Sequence, residues 1–182
     1  MNHRYLQKFQ IKDVVFLAIM SAVALATCAV MPLVISLQPL IFGISQLVTA
    51  LQIGVFFAIG LYKVRKPGSL LIMALMMGLI QLMMSPPMFL SSVLNGVLIE
   101  LIVLLLFRGY EKDAAVFVAA MLHTPLSLPF NYLYNRLVKG TDSPLAAVAD
   151  RAPLAAVGMT LAVVAVSALG ALIGIKIARE LK

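Results

Sequence analysis

Glu100 and His123 are the two side chains whose chemistry stands out, because each sits in an otherwise apolar run, "VLIELIVLLLF" and "VFVAAMLHTPL". A carboxylate beside an imidazole can form a neutralised pair or pass a proton along a relay. Counted inward from 107 and 114, they lie 7 and 9 residues deep, about 10 and 14 Å at helical rise. Being nearly level, they are expected to face each other directly or through one water, since a lone buried carboxylate is costly. The rival assignment is a proton-coupled secondary transporter. One acid and one histidine, with no other acid at that depth, make a thin relay, so the structural pair is preferred.

A second group could bind a solute. Asn95 precedes Gly96, and Asn131, Tyr132, Tyr134 and Asn135 follow Pro125 and Pro129. The two prolines should interrupt their helix and free carbonyls that a ligand, water or neighbouring side chain must satisfy. An interfacial aromatic belt explains the tyrosines but not the asparagines. Gln38, Ser45, Thr49 and Gln52 fall on one helical stripe. There Thr49 and Gln52 suit hydrogen bonds between helices, whereas Gln38 and Ser45 can reach a ligand. Met83, Met84 and Met88 flank Pro86 and Pro87, and methionine adapts to irregular apolar surfaces. Together these residues suggest an outward-facing pocket with amide, hydroxyl and thioether walls and almost no fixed charge. Arg136 and Arg151 are the nearby exceptions. Such walls suit a large, neutral, amide-rich or heteroaromatic solute.

Enzyme chemistry finds little support: there is no H-E-x-x-H zinc site, no G-x-S-x-G elbow, no metal-binding cysteine pair and no phosphate loop. A third pattern concerns partners rather than chemistry. Ala18, Ala22 and Ala26 recur every fourth residue, and such a small-residue face lets another helix approach closely. It serves either packing within this chain or a docking partner. Gly170 and Gly174 form a second, weaker small pair.

The elements that must position these residues follow from composition. Of 182 residues, 63% are hydrophobic and only 12% charged, with a mean hydropathy of +1.06. A soluble domain has about 45–50% apolar and about 25% charged residues. A disordered chain, a disulfide scaffold and a nucleic-acid module are excluded, and the solvent must be lipid. The single Cys28 can form no internal disulfide and reads as a packing residue. Because the apolar runs do not alternate, they are helices rather than barrel strands.

Six spans of about 20 residues are expected, at about 13–31, 37–62, 69–85, 88–107, 114–135 and 153–178. Together they make one membrane domain over 1–182. Its first residues, Met1 to Lys12, are amphipathic enough to lie on the bilayer surface and are not a cleavable signal. Eleven of the fourteen Lys and Arg residues fall on one side of that arrangement, which predicts cytoplasmic N- and C-termini.

Six helices, inside termini and the alanine face on the first helix resemble the S components of energy-coupling factor (ECF) vitamin transporters. The "KVRKPGSL" turn and the "MP" after the first span look like the cobalamin-specific and queuosine-precursor branch. The resemblance covers the whole chain. It implies a substrate-binding subunit in the bacterial cytoplasmic membrane that takes a vitamin at its outer face and catalyses nothing itself. It also implies docking through Ala18, Ala22 and Ala26 on a T component that carries two ATPases. Cobalamin is the first substrate expectation. A queuosine precursor, hydroxymethylpyrimidine or pantothenate are the alternatives. The expected binding residues are Gln38, Ser45, Met84, Met88, Asn95, Asn131, Tyr132, Tyr134 and Arg151, with no metal, no catalytic cofactor and no nucleic acid.

Overall fold

The fold is that of a computed structural model, which describes residues 8–28, 34, 36–37, 40–138 and 144–181. Expectations that fall on Met1 to Gln7, Ala29, Pro32, Gln38, Pro39, Lys139, Gly140, Asp142 and Lys182 lie outside the described residues.

Seven helices make up the described residues: α1 (Ile11–Thr27), α2 (Ile44–Val64), α3 (Ser69–Leu82), α4 (Pro86–Phe107), α5 (Asp113–Val138), α6 (Pro144–Arg151) and α7 (Pro153–Glu180). Four of them, α2, α4, α5 and α7, are long and apolar enough to cross a membrane; α3 is apolar but shorter.

Backbone chemistry explains where these helices depart from expectation. The second span does not open at 37. Turns occupy 36–37 and 40–43, and α2 starts only after Gly43, whose φ of 75° is a left-handed conformation that glycine adopts without a Cβ penalty. Pro86 and Pro87 do not separate two helices but begin α4, where a missing N–H breaks no helical bond. Conversely, Pro125 and Pro129 do not interrupt α5, which runs through both. Pro125 has no N–H for the carbonyl of Met121, and the Ser167 hydroxyl on α7 donates to that carbonyl at 2.8 Å instead. The connection expected between 136 and 152 contains α6, eight residues opening on Pro144.

Packing is tightest where α2 and α7 run parallel, the largest helix contact in the chain. A Cβ added to Gly170 would meet the Leu51 carbonyl oxygen at 2.5 Å, and one on Gly174 would meet that of Val55 at 2.4 Å. Gly54 returns the fit, approaching the Ser167 carbonyl. The Gly170–Gly174 pair is thus the closest backbone approach between these helices. Leu17, Phe57, Leu61, Leu70, Met73, Ile99 and Val116 fill the core around this seam. Hydroxyls add cross-ties, Ser21 donating to the Met73 carbonyl at 3.2 Å and Ser92 to that of Ala74 at 2.9 Å.

One end of the bundle is held by ion pairs. Asp113 at the start of α5 binds Arg65, at the end of α2, and Arg179, at the end of α7, each at 2.5 Å. Lys66 reaches Asp13 on α1 at 2.6 Å, and the Arg65 guanidinium donates to the Glu111 carbonyl at 2.6 Å. Arg65, Lys66 and Arg179, three of the basic residues assigned to one side from sequence, are thus gathered at a single end. Here it is called the basic end and the opposite one the far end.

Candidate functional site

Glu100 and His123 do not form the expected pair. The Glu100 carboxylate accepts from the Gly68 N–H at 2.7 Å and from the Tyr110 hydroxyl at 2.9 Å. Gly68, at φ 92°, is the left-handed residue that opens α3, so its N–H points inward and needs an acceptor. Glu100 supplies one, clamping the "KPG" turn and the loop after α4 to the middle of the bundle. Tyr110 is fully buried, and burial together with the Glu100 charge pushes its phenol well above the usual value, so it stays a donor. His123 instead lies against Phe57, with ring centroids 4.4 Å apart, and neither of its nitrogens has a hydrogen-bond partner among the described residues. The pairing fails because Glu100 is held from the basic end, by the Gly68 N–H, the backbone of Leu70 and Leu71 in the first turn of α3, and the Tyr110 hydroxyl.

Glu100→Leu is expected to destabilise the protein by at least about 2 kcal/mol, because the buried Tyr110 hydroxyl and the half-buried Gly68 N–H lose their acceptor. Glu100→Gln should melt near the parent, since its carbonyl can take the Gly68 N–H while the Tyr110 hydroxyl rotates to accept from the amide. Melting in detergent reads both. Equal melting of the parent and Glu100→Leu would contradict the clamp.

A hollow of about 480 Å³ opens at the far end. Leu128, Pro129 and Tyr132 of α5 form one wall, and Pro153, Ala156, Val157 and Thr160 of α7 form the other. Ala149 and Asp150 of α6 and Phe42, before α2, complete the lining. Pro153 at the first position of α7 lets that helix begin directly at the edge of the hollow. A polar cluster sits there: the Tyr132 hydroxyl donates to one oxygen of Asp150 at 2.7 Å, and Arg136 pairs with the other.

Of the nine expected binding residues, only Tyr132 lines the hollow, and Gln38 lies outside the described residues. Ser45 is buried and donates to the Gln46 amide oxygen at 2.8 Å. Asn95 is buried within α4, where its carbonyl oxygen has no partner among the described residues. Met84 is exposed on the turn between α3 and α4, and Met88 is half-buried on α4, away from the lining. Asn131 and Tyr134 are half-buried on α5; the Asn131 carbonyl accepts from the Asn135 amide at 2.7 Å. Arg151 is exposed at the end of α6. Thr49, expected to bond another helix, gives its proton to the Ser45 carbonyl of its own helix at 2.9 Å.

Sequence reasoning missed Asp150, Thr160 and Phe42 as lining residues. Pro153 beginning a helix three residues after Asp150 was the available signal for Asp150. The expectation of almost no fixed charge is corrected too, since the Asp150–Arg136 pair stands at the hollow.

On α1, Leu17, Ser21 and Ala24 face the core, while Ala22 and Ala26 are exposed beside Val15 and Ile19. Ala18 is half-buried between these faces. Among the described residues, packing within the chain leaves Ala22 and Ala26 exposed.

No curated protein and no solved structure matches the chain. The model of a family described as hypothetical bacterial integral membrane protein (Trep_Strep) matches residues 11–181. An all-helical chain with several apolar helices agrees with that description, and the protein belongs to this family of bacterial integral membrane proteins.

Proposed function

We propose that the protein is the substrate-capture subunit of an ATP-driven importer of the ECF type. It crosses the bacterial cytoplasmic membrane six times, with the basic end and both termini in the cytoplasm. A T component with two ATPases docks on Ala18, Ala22 and Ala26 and supplies the energy. The observation that carries this reading is the division of labour along the bundle, with a hollow at the far end, ion pairs at the basic end and an uncovered small-residue face on α1. Basic residues favour the cytoplasmic side, which turns the hollow outward.

A hollow of about 480 Å³ lies in the lower half of the range used by drug-sized ligands, about 300–1,000 Å³. That size favours a queuosine precursor, hydroxymethylpyrimidine or pantothenate over cobalamin, whose corrin ring and nucleotide tail exceed it. A proton-coupled secondary transporter loses the Glu100–His123 pair on which it would depend.

Single cysteines in a Cys28→Ala background test the orientation. Val157→Cys, at the hollow, is expected to react with a membrane-impermeant maleimide on intact cells, and Lys63→Cys only after lysis. The reverse pattern would overturn the reading.

A further inference from the structure

We infer that the far-end hollow selects a donor-rich ligand, an amino-substituted nitrogen heteroaromatic, and disfavours carboxylates and phosphates. This deepens the capture reading and rests on it. Among the described residues three polar side chains line the hollow, Tyr132, Asp150 and Thr160. The Tyr132 hydroxyl proton is committed to Asp150 at 2.7 Å, and that of Thr160 to the Ala156 carbonyl of its own helix at 2.8 Å. Each hydroxyl therefore has only lone pairs to offer a ligand.

Asp150 is acceptor-only when ionised. Tyr132 and Arg136 take one site on each of its oxygens, and a carboxylate has about four such sites. Pro129 and Pro153 bring no N–H to the walls. Among the described residues, the polar side chains of this hollow thus present acceptors without a free proton. An anion entering it would meet the lone pairs of these side chains, with the Asp150 charge already balanced by Arg136. An amino group would instead meet a carboxylate, in a charge-assisted bond stronger than a neutral one.

The remainder of the lining fixes the body of the ligand. Phe42, Leu128, Pro129, Pro153 and Val157 offer apolar surface against which the face of a flat ring would lie. An edge amino group would point at Asp150, with Thr160 receiving a second N–H or O–H.

The test is calorimetric binding to the full chain in nanodiscs. The probes are 4-amino-5-hydroxymethyl-2-methylpyrimidine, pantothenate as the carboxylate and cobalamin as the oversized solute. The aminopyrimidine is expected to bind, with pantothenate at least about tenfold weaker. Asp150→Asn should weaken the aminopyrimidine at least about tenfold, since the amide turns one acceptor into a donor. Thr160→Val, which leaves every helical backbone bond in place, should weaken it about threefold and carries the test if Asp150→Asn does not fold. Tighter binding of pantothenate or cobalamin, or unchanged affinity in the variants that fold, overturns the donor-rich class but leaves a capture subunit standing. No binding of any of the three overturns both.

Discussion

Gly174→Leu is expected to prevent recovery of folded protein, and Gly170→Leu to do nearly the same. At both positions even a single added carbon meets a backbone carbonyl of α2, at 2.4 Å from Val55 and 2.5 Å from Leu51. A flexible side chain could swing away from such a contact; a helix backbone can yield only by moving the whole of α2. Ordinary overpacking costs about 1–3 kcal/mol, and a leucine driven into this seam should exceed that. In lipid, helix association relies on such close packing, so parting α2 from α7 removes the largest contact in the chain. Monodisperse yield in detergent and the thermal midpoint read the effect. Gly158→Ala is the internal control, because nothing lies within 4 Å of that position. Normal folding of Gly174→Leu would show that α2 and α7 do not meet as described.

The second large effect is functional. Ala22→Trp should lower ATP-dependent uptake at least about tenfold, equivalent to about 1.4 kcal/mol of lost docking, while ligand binding to the isolated subunit stays within about twofold. Ala22 is exposed on α1, so the indole projects away from the buried face of Leu17, Ser21 and Ala24 and stability is expected to be preserved. Outside the chain, a face that admits another helix closely is spoiled by a bulky side chain. Leu105→Trp, on an equally uncovered part of α4, should leave uptake unchanged. Unimpaired uptake by Ala22→Trp would remove the docking assignment, even with the hollow intact.

What could be read from the sequence follows from which forces are local. Helices were visible because long apolar runs have one stable form in lipid, so the cores of α2, α4, α5 and α7 fell inside the expected segments. The common placement of Arg65, Lys66 and Arg179 agrees with the alternation expected of successive spans. The prolines misled because their effect depends on position and neighbours. Pro86 and Pro87 stand where N–H groups have no helical partner anyway, and the carbonyl freed by Pro125 finds Ser167, 46 residues away.

Glu100 was misassigned for a similar reason. Depth along a helix was legible, but rotation about its axis was not, and that rotation turns the carboxylate toward Gly68 and Tyr110 rather than His123. The hollow was the least legible feature. Its location at the ends of α5 and α7 could be approached from Tyr132, but Asp150 enters it only because a short helix folds back between them. Asn95, Met84 and Met88 share the far half of the sequence arrangement without sharing that wall, since α3 and α4 pack chiefly on each other there.

Solute uptake into vesicles most directly decides whether this chain captures cargo for a motor carried by other subunits. Vesicles holding the protein alone, given a proton gradient, are compared with vesicles that also hold a T component and its two ATPases, given ATP. The account predicts accumulation only in the second set, lost in Ala22→Trp and retained in Glu100→Gln. Accumulation driven by the proton gradient in the first set, abolished by Glu100→Gln, would contradict it.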